Sequence, residues 1–173
     1  MLSLAPVSID TCTLLNVLAS GSADRLIAAL CPQCMISEAV LQESLYLRAT
    51  DTSLPPERVD LSRLLASGLL NICSAETPDE EALYVELASQ LDDGEALSMA
   101  LSISRNFGLA TDDRKATRIA KERGVLGIYC TPEILQACPD LNVSEAIQLI
   151  ECRARFSPPS GSPFRDWWLS LRP

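Results

Sequence analysis

Residues 91–125, LDDGEALSMALSISRNFGLATDDRKATRIAKERGV, carry the pattern that decides the fold. They read as a helix start, a buried helix, a short strand and a second helix. Ala96, Leu97, Met99, Ala100, Leu101 and Ile103 make the first helix apolar or small nearly all round, which predicts deep burial. Residues 109–111 read as a strand, and Gly124 ends the second helix as a C′ glycine. Carboxylates stand at both junctions: Asp92, Asp93 and Glu95 at the first helix, Asp112 and Asp113 after the strand. Acids at helix starts and strand ends are placed to meet in space, either around a metal or as helix caps.

Outward from this stretch the same alternation continues. Short apolar runs at 6–10, 34–37, 69–73 and 125–129 read as further strands. Helices are expected at 11–18, 23–30, from Ser37 to about Arg48, from Asp60 or Ser62, from Thr77-Pro78 to about Gln90, and at 131–138 and 144–153. The helix from Ser37 would carry Glu43, with Val40, Leu41, Ser44, Leu45 and Leu47 apolar or small; 49–60 reads as a loop. Strands that are apolar without alternating, separated by helices, predict an α/β fold: a three-layer α/β/α sandwich on a mostly parallel sheet of about five strands. The expected division is a domain over 1–153 and a tail over 154–173. That tail has a Pro/Ser linker and the adjacent Trp167 and Trp168, which are expected to pack on the chain's own surface or across a dimer.

The chain has 173 residues, 47% of them hydrophobic, enough for a substantial core. Its net charge of -9 argues against a broad basic surface for nucleic acid. There is no histidine, which removes Ser-His and Cys-His catalysis and His-ligated zinc. The seven cysteines are irregularly spaced, and no charged segment followed by an apolar run opens the chain, so a cytoplasmic protein with buried thiols is expected. Cys31-Pro-Gln-Cys34 closes a helix and opens a strand, which reads as structural. No apolar run approaches the ~20 residues of a membrane span.

Acid–base and metal chemistry must then come from Asp and Glu. In an open parallel sheet, sites form outside the carboxyl ends of the strands. Asp10 ends the first strand and Asp112 and Asp113 follow the fourth; Glu95 lies in a first helical turn and Glu43 on a helix against the sheet. Each has a plainer reading. Asp93 is a natural N-cap, Asp112 could cap the next helix, Glu38 suits a first turn, and Glu43 suits a surface. Asp10 is harder to set aside, because an acid closing a buried strand needs a partner or a cation. Four converging acids would repel until a pKa rose or a cation bound, and hard oxygen ligands select Mg2+ or Mn2+.

Val7-Ser-Ile-Asp10-Thr11 through Asn16 resembles the opening motif of PIN-domain nucleases, the fold of VapC-type toxins. Ile36 through Glu43 is similar to the second motif, Asp93-Gly94-Glu95-Ala96 to the third, Leu109-Ala-Thr111-Asp112-Asp113-Arg114 to the fourth, and 125–131 to the last strand. The resemblance covers about residues 5–140. It implies a metal-dependent ribonuclease acting on RNA, often the toxin of a toxin–antitoxin pair held by an antitoxin-like protein, and commonly a homodimer. It implies Asp10, Glu43, Glu95 and Asp113 around Mg2+ or Mn2+, supported by Thr11, Asn16, Thr111 and Asp112. The chain departs from that pattern in its length, its tryptophan-rich tail, its acidity and its Glu rather than Asp in the third motif. Two other classes compete. One is a non-catalytic PIN-like module docking a partner through its tail. The other is a HAD-like phosphatase, which needs an Asp where Cys12 stands.

Overall fold

The computed structural model describes residues 1–43, 45–51 and 53–172. In chain order the elements are β1 (Val7–Ile9), α1 (Thr11–Ala19), α2 (Ala23–Leu30), β2 (Cys34–Ser37), α3 (Glu38–Gln42), β3 (Tyr46–Leu47), β4 (Glu57–Arg58), α4 (Ser62–Ala66) and β5 (Leu70–Cys73). They continue as α5 (Pro78–Ala88), α6 (Asp93–Arg105), β6 (Gly108–Ala110), α7 (Arg114–Glu122), β7 (Ile128–Tyr129), α8 (Thr131–Ala137), α9 (Val143–Arg153) and α10 (Arg165–Ser170).

The five strands read from the sequence form one sheet of order β5-β2-β1-β6-β7. Every pairing in it is parallel. Helices cover both faces, as a parallel sheet requires. Val7, Ile9 and Ala110 face one core with Leu14, Leu30, Ile134 and Ile147. Leu109 faces a second core with Met99, Ala100, Ile119 and Leu87. This is the α/β/α sandwich. The chain leaves β1 toward β2 on one side and places β6 on the other, so the switch point of the sheet lies between β1 and β6. The register sets Ile9 opposite Ala110, which brings Asp10 beside Thr111 at the carboxyl edge.

Two stretches differ from the sequence reading. The helix from Ser37 stops at Gln42 instead of about Arg48, and Glu43 is its C-cap in extended conformation. Leu45, Leu47 and Ala49 are buried while Tyr46 and Arg48 are exposed, a period of two rather than 3.6. That alternation belongs to β3, which pairs antiparallel with β4 inside the expected loop. Ser44, placed on the expected helix, lies outside the described residues.

Caps also shift by a residue or two. Asp92, not Asp93, is the N-cap of α6. Asp113, not Asp112, caps α7. Cys130 and Asn142 are the N-caps of α8 and α9, so α9 starts one residue before the expected 144. Thr77 forms the expected cap with Pro78 behind it, completed by Glu80 as a capping box. Gly124 takes its C′ position at φ 77°.

Cys31 and Cys34 are buried at the junction of α2 and β2. The C-terminal segment turns inward. Trp168 is fully buried, edge-on to Phe156 at 5.5 Å, and its Nε1 donates to Glu151 at 2.7 Å.

Candidate active site

Asp10 follows β1 and caps α1: its Oδ1 accepts from the Thr13 amide at 2.7 Å. The residue is 1% exposed, yet its Oδ2 has no hydrogen-bond partner. A half-satisfied buried carboxylate resists ionisation. Burial pushes the Asp10 pKa up to about 7; the Thr111 side chain and the Thr13 amide act against the shift, and the Asp112 charge adds to it.

Asp112 is the better satisfied neighbour. Its Oδ1 accepts from the Thr131 amide at 2.9 Å, and its Oδ2 accepts from Asn16 Nδ2 at 2.9 Å, Thr13 Oγ1 at 3.2 Å and the Thr131 hydroxyl. It therefore ties α1, the end of β6 and the start of α8 together. Burial raises its pKa in spite of these donors. Asp113, one residue on, spends Oδ1 on the Ala116 amide at 2.7 Å, while its own amide donates to Thr111 Oγ1 at 3.1 Å. In the TDD stretch the two acids thus differ: Asp112 is held by donors from α1 and α8, and Asp113 takes the helix cap that the sequence reading gave to Asp112.

Glu95 occupies the first turn of α6. It is half-buried, and its pKa is raised by burial first, then by the charges of Asp113 and Asp92, with Lys115 opposing. The starts of α6 and α7 thus bring Glu95 and Asp113 into mutual range. Glu43 arrives from the end of α3. A Cβ built on Gly94 would lie 2.3 Å from Glu43 Oε1 and 3.1 Å from Thr11 Oγ1. So the Glu43 carboxylate rests on the bare backbone of α6, beside Thr11. The Thr11 hydroxyl is itself buried without a partner.

Cys12 adjoins these acids. Its residue is open to solvent on one side, and its thiol is pushed up to about 12 by partial desolvation first and then by Asp10, Glu95, Asp112 and Glu43 in that order. One sulfur feels four carboxylates drawn from four separate segments. Gly94, Thr13 and Thr131 were missed by sequence reasoning. Thr131 left a trace, as a hydroxyl just past a strand end, and Gly94 stood inside the third motif without a role of its own.

Residues 7–135, well over half of the chain, match a family model described as a PIN domain. The chain belongs to the PIN-domain family. Comparison with curated proteins and with solved structures found no match. A PIN domain is a nuclease-type fold, and divalent metal ions typically serve in it. This PIN domain offers such an ion hard oxygen donors and two buried oxygens without partners, Asp10 Oδ2 and Thr11 Oγ1. Among the described residues no three His, Cys, Asp or Glu side chains stand close enough together to form a ready cage. Mg2+ does not need one: it keeps several waters and takes one or two carboxylates plus substrate phosphate. The donor chemistry therefore fits the ion. Gly94 supplies the test of the arrangement. In Gly94→Ala the new methyl displaces the flexible end of Glu43 and leaves the helix intact. Mn2+ affinity in a calorimetric titration is expected to fall ~10–100-fold, the range for disturbed ligand support, with the melting temperature nearly unchanged.

Proposed function

We propose that this PIN domain is a divalent-metal-dependent endoribonuclease that hydrolyses RNA phosphodiester bonds. One observation carries the reading: a fully buried carboxylate at the sheet's switch point, Asp10, with one oxygen unpartnered and a pKa near 7. Such a group is costly to keep unless a cation repays it.

Asp10, Glu43, Glu95 and Asp113 are the set from which the one or two carboxylates holding Mg2+ or Mn2+ would come, with Thr11, Asn16, Thr111 and Asp112 behind them. A bound ion supplies positive charge against the charge that develops on the phosphate. Asp112 fixes the edge by joining Asn16, Thr13 and Thr131. Glu95, whose pKa is raised by burial and by the charges of Asp113 and Asp92, would take the proton of the attacking water where it is not itself on the ion. Within this reading the chain works in the cytoplasm as a homodimer, and the toxin half of a toxin–antitoxin pair, held by an antitoxin-like protein, is one role that it would fill. No helix among the described residues is long and apolar enough to cross a membrane.

The alternative, a module that docks a partner through Trp167 and Trp168, loses its main support. Trp168 is fully buried on its own chain and Trp167 is half-buried beside it. The two readings part on a metal titration of RNA cleavage: fragments are expected with Mg2+ or Mn2+ and none in EDTA. Intact RNA under both conditions would leave the docking module as the surviving reading.

A further inference from the structure

A cavity of about 520 Å³ opens directly beside the carboxylates, at Thr111 and Asp112. Its far wall is the C-terminal segment, including Pro158, Pro159 and Phe164, which lies outside the matched family region. Its floor is β7, with Tyr129. Its near wall is one face of α7, where Arg114, Thr117 and Lys121 recur at helical spacing.

That wall brings two positive charges to a cavity whose lining also holds the acids Asp112 and Glu133, in a protein of net charge -9. Arg114 and Lys121 are exposed and form no ion pair among the described residues. Arg114 Nη2 instead donates to the Ser160 carbonyl at 2.6 Å, which holds the far wall in place and leaves the other guanidinium donors for a ligand. Seven residues of helix set the two cations about 10 Å apart along the groove. The far wall is itself fixed: Arg165 donates to Pro158 O, and Trp168 anchors the segment in the core.

Cations in a row, aromatic surface from Tyr129 and Phe164, and a volume of small-ligand size are what a single strand of nucleic acid needs: phosphate neutralisation plus a stacking platform. We propose that this groove is a subsite for a nucleotide of single-stranded RNA flanking the cleaved bond, with Arg114 and Lys121 on phosphate and Tyr129 and Phe164 against a base. The choice of RNA rests on the ribonuclease reading. The C-terminal segment is then part of the substrate site and not a free tail.

The test uses the full chain and a short fluorescein-labelled 2′-O-methyl oligoribonucleotide, which resists cleavage, followed by anisotropy in Mg2+ across a salt series. Lys121→Gln is expected to flatten the slope of log affinity against log salt by about 0.7, one single-strand phosphate contact. Arg63→Gln, on α4 beside the opposite sheet edge, is expected to leave the slope alone. Phe164→Leu, which keeps the bulk of the side chain, is expected to weaken binding about tenfold. Circular dichroism melts confirm that each variant is folded. A parent protein that does not bind overturns the proposal. So does a Lys121→Gln slope or a Phe164→Leu affinity equal to the parent's, or an Arg63→Gln slope that falls as far as that of Lys121→Gln. Binding with the expected losses but no cleavage of ordinary RNA in Mn2+ would sink the nuclease reading and leave the groove standing.

Discussion

Asp10→Asn is expected to abolish metal-dependent RNA cleavage and, at the same time, to stabilise the metal-free protein at pH 8. The loss of rate should be on the order of a thousandfold, about 4 kcal/mol of transition-state stabilisation. The gain in stability follows from linkage. Asp10 has a folded pKa of about 7, against 3.8 for an ordinary aspartate in water. The folded state therefore holds the proton more tightly than the unfolded one. Below pH 3.8 both states are protonated and Asp10 costs nothing. As pH rises toward about 7 the unfolded chain ionises first, and the protein loses stability. Above that the penalty is complete, up to about 4 kcal/mol by the size of the shift. Asparagine keeps an acceptor for the Thr13 amide and removes the charge. Urea denaturation in EDTA should show the variant more stable than the parent at pH 8, with the gap closing at pH 4. Equal stability at both values would mean that Asp10 is not the strained group described. A residue that lowers stability where it serves activity is the signature of a functional site.

Trp168→Ala is expected to cause the largest loss of stability of any single substitution in the C-terminal segment, about 3–5 kcal/mol. The side chain is wholly buried in the core under α9, edge-on to Phe156 and Trp167. Its removal also strips Glu151 Oε1 of the Trp168 indole donor, leaving the Arg172 guanidinium on that oxygen. Chemical denaturation measures the effect directly; a loss below about 1 kcal/mol would mean that the segment is only loosely applied. Because the same segment walls the groove, the variant should also lose oligonucleotide affinity.

The sheet was legible because each strand is a short apolar run bounded by turn or cap residues, and because helices separate the runs. The order of the strands was not, since nothing local says which side of β1 receives β6. Residues 37–49 misled for a definite reason. Val40, Leu41, Leu45 and Leu47 satisfy a helical template as well as a helix followed by a strand, and only the burial of Leu45, Leu47 and Ala49 against the exposure of Tyr46 and Arg48 separates them. Asp10 stood out in the sequence because an acid closing an apolar strand has few harmless explanations. The division of labour between Asp112 and Asp113 was beyond sequence. It depends on Thr131 and Asn16, which reach Asp112 through space. Gly94 shows the same limit: its value is the absence of a Cβ under Glu43, visible only once α3 and α6 have met.

The central claim is that buried Asp10 serves a divalent ion that cleaves RNA. Its most direct measurement is cleavage of a mixed RNA pool by the parent protein and by Asp10→Asn, each in Mn2+ and in EDTA. The account predicts fragments only from the parent in Mn2+. Equal fragmentation by Asp10→Asn, or by the parent in EDTA, would contradict it.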